Sequence, residues 1–171
     1  MIIYVSAGYG YGRTLLSSFD FALMDTGVYN YNLITLSSVI PPGSVIKKKK
    51  FKASKNEYGH KLYIVKADKR SNETGKYIGA ALGWYQAEDN RGVFVEHDNI
   101  DYTSQNVEVN LRQDVERSLR DLCSSRNFHF KKQKMGIKTK VIKVEDRPAC
   151  VLVLAVYKAE SWEQKETILA K

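Results

Sequence analysis

Cysteine, proline and histidine are all scarce in this chain of 171 residues, which has two, three and three of them. Cys123 and Cys150 show neither CxxC spacing nor a nearby histidine pattern. They therefore give no disulfide framework and no structural zinc site, and they read as two buried thiols in a reducing compartment. His60, His97 and His129 are scattered, so no metal-ligand spacing emerges, and no lysine sits where a pyridoxal phosphate ligand would be recognised. No apolar run approaches the ~18 residues that a membrane-crossing helix needs. The opening MIIYVSAGYG has no basic segment ahead of an apolar one and does not read as a secretion signal. There is no internal repeat, low-complexity stretch or linker. The expectation is a cytoplasmic, metal-free protein that does not enter membranes.

What is present is ordinary for a globular chain: 43% hydrophobic and 27% charged residues. The length allows one domain with a proper core, over 1–171. The net charge is +8, from 27 Lys and Arg against 19 Asp and Glu. Such a balance fits nucleic acid or an anionic surface, and equally a solvated lysine-rich face. The charge is patchy, with a run at Lys47–Lys50 and further lysines around 131–143.

Hydrophobic periodicity gives the order β-α-β-β-β-β-α-β-β. IIYVSAG reads as a strand and AGYGYGRT as a glycine-rich loop. A helix is expected over 15–26, with Thr14 as N-cap, Gly27 just past its end, and Leu15, Leu16, Phe19, Ala22 and Leu23 as its apolar positions. Residues 30–40 read as one strand stopped by Pro41-Pro42-Gly43. KKKKFKASKNEYGH reads as an exposed loop, followed by strands at 61–69, 77–86 and 92–98. NVEVNLRQDVERSLRDLCSSRNF is a helix with Leu111, Val115, Leu119 and Leu122 on its apolar face. Strands at 134–145 and 148–159 follow, then a short peripheral tail. Two helices cannot cover both faces of a parallel sheet. The expected fold is α+β: mixed, mostly antiparallel sheets with two outer helices, an αββα-type sandwich.

One dipeptide carries chemistry. Ser37-Ser38 precedes Val39-Ile40-Pro41-Pro42. Alone, two serines at a strand end are turn formers. Together with Phe19-Asp20-x-Ala22-Leu23, Gly27 and Asn30-x-Asn32-Leu33-Ile34 upstream, the stretch resembles the pyruvoyl-dependent arginine decarboxylases. Ala7-Gly8 and Gly12-x-Thr14 stand where that family has its glycine-rich opening, and Gly92-Val93-Phe94-Val95-Glu96 resembles its Gly-x-x-x-Glu strand. The likeness is close over 5–42 and looser over 90–158.

The resemblance implies a chain that cuts itself between Ser37 and Ser38, giving 1–37 and 38–171. Ser38 Oγ would attack the Ser37 carbonyl to form an ester. Elimination and hydrolysis would then leave a covalent pyruvoyl group at position 38. A hydroxyl is a poor nucleophile near neutral pH, so geometry must hold it against the carbonyl. Asn32 corresponds to an asparagine that assists cleavage. An even spacing from Ser38 would put both on one strand face. The ketone forms a Schiff base with the substrate amine and accepts electrons as carbon dioxide leaves. Glu96 corresponds to the acid that returns a proton to the α-carbon, and its apolar neighbours would favour that acid form; cleavage itself should not need it. Asp20 would hold the guanidinium of arginine, with Ser37 beside it at the substrate. The products would be agmatine and carbon dioxide. The resemblance also implies a homotrimer or hexamer with sites shared between neighbours.

Two features depart from the family. Tyr11 and Arg13 stand where it often has an acid, and the segment from Lys47 is unusually basic. Two other readings follow: a pyruvoyl decarboxylase for another amino acid, or a catalytically silent homologue that binds nucleic acid through Lys47–Lys50, Phe51, Tyr58 and Tyr63.

Overall fold

The computed structural model describes residues 1–162. Its layers are helix, sheet, sheet, helix. The first sheet has five strands: β1 (Ile2–Tyr11), β2 (Asn32–Thr35), β4 (Val45–Lys48), β5 (Lys61–Ser71) and β9 (Ala149–Glu160), in the order β2-β5-β9-β1-β4. The second has β3 (Val39–Ile40), β6 (Tyr77–Gln86), β7 (Gly92–Asp101) and β8 (Gly136–Lys143), in the order β3-β7-β6-β8. Pairing is antiparallel except for β1 with β4 and β2 with β5. Helix α1 (Leu15–Thr26) covers the first sheet and α2 (Ser104–Ser125) the second.

Strand alternation builds this sandwich. On β9, Val151, Val153 and Ala155 face the second sheet and, with Ile3 and Val5 of β1, pack against its Leu82 and Phe94. Cys150, Leu152, Leu154 and Val156 face α1. Such a strand, covered on both sides, reads as an unbroken apolar run. Helix α2 buries Val107, Leu111, Val115, Leu119 and Cys123, one residue about every turn, against β6, β7 and β8. Full burial of an aliphatic side chain of this size contributes roughly 1.5–3 kcal/mol. Both cysteines are buried and free, and burial pushes the Cys150 thiol up to about 12. Among the described residues no helix is long and apolar enough to cross a membrane.

The α1 limits follow the sequence expectation, but its buried face follows it only at Ala22 and Leu23, with Phe19 packed against them. Thr14 caps the helix by accepting from the Ser17 N–H, and Gly27 closes it at φ 84°. The buried residues are Ser18, Ala22, Leu23 and Thr26, while Leu15, Leu16, Phe21 and Met24 are exposed. The glycines of β1 explain the exchange. Gly8 and Gly10 alternate along the strand beneath α1, so they belong to the strand and form no loop. A Cβ at Gly10 would meet the backbone of Ser18 and lie 2.6 Å from the Ala22 nitrogen. Helix backbone rests directly on strand backbone, which selects small residues on both sides.

Two further expectations change. The start of the basic segment contributes β4, the edge strand beside β1, and this strand together with the break described next brings the described residues to nine strands where seven were expected. The strand expected over 30–40 is broken: β2 ends at Thr35 in the first sheet and β3 starts at Val39 in the second. The tail residues 163–171 lie outside the described residues.

Candidate active site

Residues 36–38 carry the chain from one sheet to the other. The Leu36 N–H still donates to the Ile64 carbonyl, at 2.8 Å. Two residues later Ser38 adopts φ 67°, a left-handed conformation unfavourable for a residue with a Cβ. Its carbonyl then accepts from the Phe94 N–H at 2.8 Å, which docks the segment on β7. This reversal aims the Ser38 side chain at Glu96, and its hydroxyl donates to Glu96 Oε1. The nucleophile and the acid singled out in the sequence, 58 residues apart, are thus in direct contact.

The contact opens into a cleft of about 460 Å³, lined by Ser37, Ser38, Val93, Phe94, Val95, Glu96 and His97 from the strands, and by Ser118, Asp121, Leu122 and Arg126 from α2 and its end. The cleft exists because β3 is so short: it pairs only with Gly92 and Val93 and leaves the rest of that β7 edge without a strand partner among the described residues. His97 Nε2 lies 2.9 Å from Ser118 Oγ. A larger cleft of about 590 Å³ lies at the β6–β7 turn, lined by Tyr85, Arg91 and Phe128 among others. It includes neither Ser38 nor Glu96.

Two sequence candidates lie elsewhere. Asn32 is exposed on β2, and its side-chain amide donates to the Gly59 carbonyl at 2.6 Å. It shares no strand face with Ser38, because the strand ends and the chain crosses sheets between them. Asp20 is exposed on α1, outside the cleft of its own chain. Glu96 differs from expectation in its surroundings: Val93, Phe94 and Val95 are buried, but its own side chain stands exposed at the cleft.

The profile of the pyruvoyl-dependent arginine decarboxylase family matches residues 2–162. The chain belongs to this family. A pyruvoyl-dependent arginine decarboxylase of Thermococcus kodakarensis is 31% identical over 153 residues, covering 90% of this chain and 92% of that protein. Those of Thermoplasma volcanium and Methanocella arvoryzae are 38% and 32% identical over 82 and 106 residues. These two matches cover 48% and 60% of this chain, and span only 45% and 64% of their relatives' lengths.

The site residues fit the covalent ketone that the family's name implies. A ketone at position 38 makes the α-carbon planar and removes the left-handed strain of Ser38. Its amide carbonyl has a donor in Phe94 N–H. No lysine among the described residues lines the cleft. Among the described residues no group of His, Cys, Asp and Glu is arranged to hold a metal ion.

Sequence reasoning missed Tyr157. It continues the inward row of β9 after Val153 and Ala155, and its hydroxyl donates to the Val39 carbonyl at 3.0 Å. The only sequence signal is alternation: an aromatic residue with a polar tip in an otherwise aliphatic row. Asp121 and Ser118 carry no signal either, because helix periodicity marks them only as non-core positions, and His97 reads as one of three scattered histidines.

Proposed function

We propose that this protein cleaves itself between Ser37 and Ser38 and then decarboxylates arginine to agmatine and carbon dioxide. The observation that carries the reading is Ser38 itself: a strained serine, at a sheet crossing, whose hydroxyl is held by Glu96. Backbone strain of this kind persists only where the surrounding structure imposes it, and it concentrates at functional sites.

In cleavage, Ser38 Oγ adds to the Ser37 carbonyl carbon and the peptide nitrogen leaves, so the amide becomes an ester. The hydroxyl proton ends on the departing amine. Loss of the Ser38 α-proton expels the Ser37 carboxylate and leaves a dehydroalanine. Water then replaces its nitrogen with oxygen, releasing ammonia. The bound group supplies a carbonyl that condenses with the substrate amine and draws electrons as carbon dioxide departs. Glu96, beside the reacting carbon, is the acid that delivers a proton to it. The Phe94 N–H fixes the adjoining amide carbonyl. His97, Asp121 and Arg126 supply the polar walls.

The guanidinium needs a carboxylate, and besides Glu96, which is assigned to the proton, the cleft of one chain offers Asp121, with Asp20 outside it. We assign that role to Asp20 of a neighbouring copy. Leu16, Asp20 and Met24 fall on one side of α1, four residues apart. Leu16 is 72% and Met24 45% exposed. An apolar helix face with a carboxylate at its centre suits burial against another copy's cleft, in a trimer or a multiple of three. Asn32, remote from Ser38 in its own chain, would assist cleavage in the same way.

Mass spectrometry together with carbon dioxide release tests the reading. The purified protein should give two fragments that meet at 37/38, the larger beginning with a ketone, and should release carbon dioxide from arginine. Ser38→Ala should remain one inactive chain. Two fragments from that variant would remove Ser38 as the nucleophile. Cleavage with carbon dioxide released only from another amino acid would keep the reaction class and change the substrate.

A further inference from the structure

We infer that Tyr157 is a positioning residue that pins the backbone just after the scissile bond, and this inference rests on the cleavage reading above. The segment needs such a pin. β3 has two residues and lies at the edge of its sheet, paired only at Val39 with Val93 and Ile40 with Gly92. Carbonyls alternate sides along a strand. Because the Ser38 carbonyl points at Phe94 N–H, the Val39 carbonyl points away from β7. On an edge strand that group would be left to water. Here Tyr157, from the opposite sheet, donates its hydroxyl to it at 3.0 Å. The ring is fixed in turn by Phe94, edge to face, with centroids 6.2 Å apart. Consecutive carbonyls, of Ser38 and Val39, are therefore held from opposite sides, by Phe94 N–H and by Tyr157. Burial, and after it the charge of Glu96, raise the pKa of this phenol, so it stays a donor near neutral pH.

The pin matters more once the chain is cut. Before cleavage the segment is tethered upstream as well, through Leu36 N–H and the Ile64 carbonyl. Cleavage at 37/38 severs that tether. The new terminus, which carries the ketone, then hangs from the Ser38 carbonyl, the two-residue ladder and Tyr157. Its aim at Glu96 depends on these.

Tyr157→Phe removes the hydroxyl and keeps the ring. One hydrogen bond corresponds to about a threefold to tenfold effect. Amide exchange in the peptide covering 38–46 should speed up by that factor in the cleaved protein, and self-cleavage should slow by it. kcat should fall by the same factor with KM unchanged, because the hydroxyl touches the peptide that bears the ketone and not the substrate. Tyr11→Phe is the control. It loses the same type of bond, from a phenol to the Lys143 carbonyl at 2.8 Å, at the other end of β9, and should alter none of these readings. Wild-type exchange and cleavage in Tyr157→Phe would overturn the inference, as would equal slowing in Tyr11→Phe, which would mark a loss of general stability. If the unaltered chain never cleaves, the cleavage reading fails by itself. Exchange over 38–46 in the intact chain then decides the role of Tyr157, and unchanged exchange there overturns it.

Discussion

Replacing Glu96 with glutamine separates the two reactions assigned to one site. In the structure the Ser38 hydroxyl donates to Glu96 Oε1. A glutamine carbonyl occupies the same place and still accepts, so the serine hydroxyl stays held where it is. Only the charge assistance is lost, and a charged hydrogen bond exceeds a neutral one by about 1 kcal/mol. Cleavage should therefore proceed, slowed by about tenfold at most. Decarboxylation should respond differently, because an amide cannot deliver the proton that the α-carbon needs. Loss of a positioned general acid costs about 10²–10⁴-fold, or roughly 3–5 kcal/mol of barrier. Glu96→Gln should appear as two fragments by mass spectrometry, retain binding of arginine, and release carbon dioxide at a hundredth of the normal rate or less. Decarboxylation at the normal rate would refute the donor assignment and turn attention to His97 in the same cleft. A variant that stays as one chain would show that Glu96 takes the hydroxyl proton during cleavage and does more than hold the hydroxyl.

Asp20→Asn should leave cleavage intact and raise KM for arginine by about 10–100-fold, as expected when a charged hydrogen-bond partner is lost. Light scattering should show the assembly preserved, and the same rise in Asp121→Asn but not in Asp20→Asn would move the guanidinium site into a single chain's own cleft. Gly10→Ala places a carbon 2.6 Å from the Ala22 nitrogen, short of the 3.4 Å at which ordinary contact begins. Overpacking against backbone costs about 1–3 kcal/mol, so thermal unfolding should fall by about 3–10 °C, and an unchanged midpoint would mean that α1 does not rest on β1 as described.

What the sequence reveals about this fold is what local periodicity can carry. The α1 limits are legible because Thr14 and Gly27 are cap residues, and α2 because its apolar residues recur about every turn. The fold class follows from counting two helices against many strands. The glycines at 8 and 10 mislead, since glycine signals a turn unless one notices that the two alternate with the period of a strand. The apolar face of α1 misleads in part for a related reason: Leu15 and Leu16 face outward while Leu23 is buried, and the helix rests on glycine through Ser18 and Ala22. The pairing of Ser38 with Glu96 comes from the resemblance and from no local pattern, because two residues 58 positions apart meet only through the sheet crossing. Parity places Asn32 beside Ser38, and parity holds only while a strand continues. The break that defeats it is a left-handed residue, and such residues are usually visible as glycine. A glycine at 38 would have marked the crossing but would offer no hydroxyl to attack the preceding carbonyl. The position needs both the reversal and the nucleophile, so a serine carries the strain, and the sequence hides the turn at the point where the chemistry depends on it.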